Sequence, residues 1–134
     1  MPHLRESSNI VAILTADLHF SHKPPLARAV EGSDWYDAQR GYIRQLRQLS
    51  LQAPVIVAGD IFDRWNAPAE LINMLLKELP QIYAVPGNHD QANHDYSQLH
   101  RTAYGTLVEA GKIIDLELGK PVDVLGWHPF RLHG

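Results

Sequence analysis

Three short runs rich in Val, Ile and Ala, each ending in a polar cluster, constrain this chain more than any other feature. They are IVAILTAD (Ile10 to Asp17), PVIVAGD (Pro54 to Asp60) and QIYAVPGN (Gln81 to Asn88). Short β-branched stretches bounded by turn residues read as buried strands. Longer segments of helical period separate them. Trp35, Ala38, Tyr42, Leu46 and Leu49 recur at spacings of three and four, predicting an amphipathic helix that starts near Ser33. Arg40, Arg44 and Arg47 form its opposite stripe and read as a solvated face rather than a nucleic-acid contact.

A second helix is expected from about Ala67 to Leu79, with Asn66 as N-cap and Pro68 in the first turn. Leu71, Ile72, Leu75, Leu76 and Leu79 supply its inward face. Leu99, Ala103 and Leu107 predict a third helix, closed by Gly111. Lys112 to Leu118 and Val122 to Leu125 then read as a hairpin, turned at Gly119, Lys120 and Pro121. Alternating strands and helices predict an α/β fold, a mainly parallel sheet flanked by helices. Ligands of such sheets gather beyond the carboxyl ends of the strands, which is where the polar clusters fall. The chain has 134 residues and no internal repeat or linker, so a single domain is expected.

Composition narrows the chemistry. There is no cysteine, so a metal must be held by carboxylate, imidazole and amide groups. That favours Mn, with Fe, Zn or Mg as alternatives, over a structural zinc knuckle. A formal charge of −3 does not favour nucleic acid as a partner, although two bound cations would make a site mouth locally positive. The polar start MPHLRESSN leads into a short apolar run, Ile10 to Leu14, which is neither a signal peptide nor a membrane span. A cytoplasmic location with no membrane partner is the expectation.

Asp17 and His19 follow the first run as D-L-H, and residues two apart in extended chain point the same way, so both can reach one cation. A surface Asp and a loop His are the competing reading. Asp60 follows the second run inside G-D-I-F-D-R, where Gly59 permits a tight turn. A carboxylate there can bridge two cations about 3.5–4 Å apart; a turn cap is the alternative. Asn88 follows the third run inside P-G-N-H-D, and its amide oxygen is a modest metal ligand. His89 beside it could donate a proton or hydrogen bond to a phosphate oxygen. Ordinary turn chemistry would also account for P-G-N.

Taken together, D-x-H, G-D-x-x-D-R and G-N-H-D, in this order and each after a strand, resemble the calcineurin-like metallophosphoesterase superfamily. The likeness covers about residues 10 to 128 and is nearest to small bacterial and phage phosphoesterases. A looser one runs to the nuclease subunits of double-strand-break repair complexes. The resemblance implies the N-terminal half of an α/β/β/α sandwich and two divalent metal ions, with hydrolysis of a phosphate mono- or diester by hydroxide activated between them. It implies that Asp17 and His19 bind the first metal, Asp60 bridges both and Asn88 binds the second. His89 would be the acid or hydrogen-bond donor, Asp63 its orienting partner and Arg64 a contact to substrate phosphate.

The chain departs from the family where a lone histidine and a G-H-x-H element are expected. Gly126, Trp127 and His128 form G-W-H at the end of what reads as a strand, and His133 lies five residues on; neither fits that spacing. The domain, residues 1–134, is therefore expected to be C-terminally incomplete. The alternatives to a working enzyme are a metal-binding fragment and a split enzyme completed by another chain. A half sheet would expose an apolar face and so favour a homo-oligomer or a complementing chain as partner. A repair-type DNA exonuclease is a further alternative; it calls for basic surface. His22 reads as a loop polar group that could approach the metal or substrate. His94 and His100 could line the cleft, and His3 lies in the N-terminal segment without an assigned role.

Overall fold

The computed structural model describes residues 9–134, apart from the side chains of residues 30–33; His3 lies outside them. Four strands, β1 (Ile13–Thr15), β2 (Val55–Ala58), β3 (Ile82–Val85) and β4 (Ile113–Asp115), form one parallel sheet in sequential order. The helices α1 (Trp35–Ser50), α2 (Ala69–Glu78) and α3 (Ala103–Glu109) make the three crossovers. When strands are added stepwise in one direction, right-handed crossovers put every helix on the same face. Burial agrees: Val55, Val57, Ile82, Ala84 and Ile113 are sealed beneath helices, with Leu71, Leu75, Leu79, Tyr104 and Leu107 above them.

Among the described residues, the other sheet face is only partly covered. Register aligns Leu14, Ile56, Tyr83 and Ile114 in one row across all four strands, and Leu14 is 76% exposed. The first strand was expected to be buried; it is an edge strand, paired on one side only, and Val11 before it is 69% exposed. The expected hairpin is also corrected. The third crossover returns the chain parallel, so β4 extends the main sheet beside β3. The partner of β5 (Val122–Asp123) is β6 (Arg131–Leu132), and G-W-H lies in the loop between them. Among the described residues, no helix is long and apolar enough to cross a membrane.

The helices keep their expected places with shifted details. A 3-10 segment, Leu26–Asp34, leads into α1. The inward face of α1 is Trp35, Gln39, Ile43 and Leu46; Ala38, Tyr42 and Leu49 stand half-buried beside it. The basic stripe is partly committed to the fold: Arg40 Nε lies 3.1 Å from Glu78 Oε1, and Arg47 donates to the Glu78 carbonyl. Pro68 rather than Asn66 occupies the N-cap of α2, and Met74 joins its buried face. Leu99 belongs to a separate 3-10 turn, Tyr96–Arg101. Thr102 starts α3 by accepting the Gly105 N–H at 2.9 Å, and Gly111, at φ +75°, turns the chain toward β4.

Gln39 is 1% exposed, which is unusual for an amide, and its partners explain why. Its Oε1 accepts the Ser21 N–H at 2.8 Å, and its Nε2 donates to the Ser21 carbonyl at 2.9 Å. Trp35 Nε1 donates to the same carbonyl at 3.1 Å. One polar clamp on α1 thus satisfies the buried backbone of the loop that follows β1. Replacing Gln39 by Leu leaves the Ser21 N–H without its acceptor, while Trp35 still donates to the Ser21 carbonyl, a loss of about 1–3 kcal/mol. Urea denaturation should therefore show a lowered midpoint for Gln39→Leu with an unchanged slope.

Candidate metal centre

Past their last residues the strands run on as paired loops. Asp17 N–H donates to the Gly59 carbonyl at 3.1 Å, His19 N–H to Asp60 O at 3.0 Å, and Phe20 N–H to Ile61 O at 2.8 Å. Phe20 and Phe62, both buried, form a parallel bridge beneath them. This extended pairing carries the first two motifs side by side beyond the sheet's carboxyl edge. Asp17, His19 and Asp60 have φ values of 54°, 47° and 53°. That left-handed region costs a non-glycine residue on the order of 1–2 kcal/mol, so the packed loops below must hold it.

The third motif is pressed against the second. A Cβ on Gly87 would sit 1.9 Å from Asp60 Oδ1 and 2.3 Å from its backbone nitrogen, so only glycine fits there. Asp60 Oδ1 accepts the His89 N–H at 3.0 Å, while Oδ2 lies 3.8 Å from His19 Nε2. Each carboxylate oxygen thus faces a different neighbouring loop. Asp17 Oδ1 stands 3.9 Å from the same His19 nitrogen. His19, Asp60 and His89 each offer a ligand atom, and these atoms all lie within 4.8 Å of one another. The His19 and His89 rings meet edge to face, with centroids 5.2 Å apart. An imidazole–carboxylate set of this spacing is one that Mn, Fe or Zn accepts.

Asn88 is exposed between Gly87 and His89, the two residues in contact with Asp60; its amide has no partner among the described residues. His89 Nδ1 lies 2.9 Å from the Asp63 main-chain oxygen. A carbonyl can only accept, so Nδ1 carries the proton and Nε2 is the nitrogen left for the cluster. The acceptor that orients His89 is thus the backbone of Asp63. Its carboxylate instead lies 3.5 Å from Arg64 Nε. His22 Nδ1 is 3.0 Å from the Tyr36 hydroxyl at the edge of the site. His94 and His100 are exposed on the 3-10 turns after β3, and His128 and His133 are exposed near β6; none of the four belongs to the clustered ligand set.

Asp90 is a residue that sequence reasoning missed. It is fully buried, and its carboxylate accepts three backbone N–H groups: Ile61 at 3.1 Å, Phe62 at 2.9 Å and Gly87 at 2.9 Å. One side chain therefore ties the second motif to the third. The signal that could have found it is its place as the last residue of P-G-N-H-D, one turn past Gly87, where a carboxylate can reach back to orphan amides.

Burial raises the Asp90 pKa above the ordinary carboxylate value, against the lowering effect of its three amide bonds. A raised folded-state pKa means that the folded chain holds this proton more tightly than the unfolded chain does. The stability it contributes is full below about pH 3.8 and is lost as pH rises through the folded value. In metal-free protein, the stability advantage over Asp90→Asn should shrink as pH rises above about 3.8; denaturant midpoints at stepped pH measure it.

A parallel α/β sheet thus carries at its carboxyl edge an imidazole–carboxylate cluster able to hold a metal ion. A sequence profile of the calcineurin-like phosphoesterase family matches residues 10–134. The chain belongs to that family, whose members use divalent metals and act on phosphate esters. No curated protein sequence matches the chain significantly.

Proposed function

We propose that this protein hydrolyses a phosphate mono- or diester at the His19–Asp60–His89 cluster, with Asp17 and Asn88 completing a two-cation centre. The observation that carries this reading is the convergence of three distant segments on Asp60, whose two oxygens face opposite neighbours. Asp17 and His19 would hold one cation, Asn88 the second, and Asp60 both. Mn suits the donor set best, with Fe, Zn or Mg as alternatives. When bound, such cations polarise the phosphate and lower the pKa of water.

The side chains around them do the rest. The Asp63 carbonyl holds the His89 ring with Nε2 turned to the cluster, where a protonated ring donates to a phosphate or leaving-group oxygen. Arg64, with its side chain 67% exposed, can follow charge on the equatorial oxygens. A second reading, a half-site that needs a complementing chain, is favoured by the apolar row of Leu14, Ile56, Tyr83 and Ile114, exposed at Leu14 and half-buried at the other three.

With Mn, the protein should release nitrophenol from mono- or bis-nitrophenyl phosphate, and Asp60→Asn should lower kcat/KM by at least roughly a hundredfold. No metal-dependent rate in either protein would favour the half-site reading. A second comparison isolates the orienting carbonyl. His89→Ala should cost roughly a hundredfold in kcat. Asp63→Ala, which keeps the main-chain acceptor, should cost less than roughly tenfold. Equal losses would instead assign the orienting role to the Asp63 carboxylate.

A further inference from the structure

A groove of about 820 Å³ opens beside the metal centre, and His19, Asp63 and Arg64 line both. Its other wall is the loop after the first motif, with His22, Lys23 and Arg28, closed at the back by Trp35 and Tyr42 of α1. Lys23, Arg28 and Arg64 bring three formal positive charges to the lining. Asp63, a carboxylate of the same lining, lies against Arg64.

Arg28 is held rather than trailing. Its guanidinium carbon lies 5.9 Å from the Trp35 ring centroid and 5.7 Å from that of Tyr42. The Tyr42 hydroxyl is buried without a hydrogen-bond partner among the described residues, and such a group calls for one. The groove thus offers a positioned guanidinium, an ammonium group and an imidazole next to an apolar back wall. A planar guanidinium and a lysine ammonium in one groove lining both offer donors to a phosphate. The volume is that of a pocket for one small organic molecule.

We propose that this groove binds the organic part of the ester and selects substrates that carry a second phosphate group there, held by Lys23 and Arg28. The inference rests on the phosphoesterase reading for the place of the first phosphate. It commits to a small bisphosphorylated molecule of nucleotide size. A polynucleotide would need a longer basic track than the groove supplies.

Calorimetric binding of thymidine 3′,5′-bisphosphate and thymidine 5′-monophosphate, with and without Mn, tests it. The bisphosphate should bind roughly tenfold or more tightly, the usual worth of one charge-assisted contact. Lys23→Ala with Arg28→Ala should bring the two affinities together. Lys23→Gln alone, at an exposed position that leaves the aromatic contacts of Arg28 intact, should remove part of the preference.

Equal affinities in the wild type, a preference that survives the double substitution, or tighter binding of a single-stranded oligonucleotide would each overturn the proposal. Hydrolysis of bis-nitrophenyl phosphate separates the two claims. A turnover with no bisphosphate preference sinks the groove alone. A Lys23- and Arg28-dependent preference without turnover sustains the groove and sinks the phosphoesterase reading.

Discussion

Three backbone amides pointing at one buried carboxylate hold the working end of this protein together. Ile61, Phe62 and Gly87 all donate to Asp90, so the loops after β2 and β3 cannot move independently. Removing that carboxylate would leave three backbone donors, two of them buried, without acceptors, and each buried orphan is costly. The contact between Gly87 and Asp60 depends on the same clasp, because it sets how closely the third motif approaches the second. A ligand cluster built on loops becomes as firm as one built on strands when a group like this lies beneath it.

Loop strain and loop support balance around the cluster. Asp17, His19 and Asp60 adopt backbone conformations that side chains disfavour, and the parallel hydrogen bonds from Asp17, His19 and Phe20 keep them there. Behind the first loop, Trp35 and Gln39 pin Ser21. On the far side, the Tyr104 hydroxyl lies 3.1 Å from the Ala84 carbonyl and 2.7 Å from Asp115, which fixes α3 against β3 and β4. The helical layer therefore serves the site through polar clamps as well as through apolar burial.

Much of this was legible in the residues, and the misses have physical causes. The three Val- and Ile-rich runs read as strands and are strands, and of the polar residues at their ends His19, Asp60 and His89 stand together. For α1, two interleaved stripes have nearly the same period. The choice of Tyr42 over Ile43 could not be settled without knowing that a buried amide at Gln39 would find Ser21. The hairpin reading of Lys112 to Leu125 failed because strand pairing is a tertiary choice: the half-open sheet offered β3 as partner before β5 could compete. Whether a motif aspartate works through its side chain or its carbonyl, as at Asp63, also leaves no mark on the sequence.

The strand order carries a consequence for how the molecule assembles. Every ladder of the main sheet joins consecutive strands, so each βα unit can dock on the one made before it, and no late strand must thread between two early ones. A nascent chain that has built only β1 and β2 already owns Asp17, His19 and Asp60, yet lacks the clasp from Asp90. On the proposed reading, tight cation capture would wait for the third strand. Ion uptake would then mark completion of that step, and a bound ion would hold the folded population by mass action.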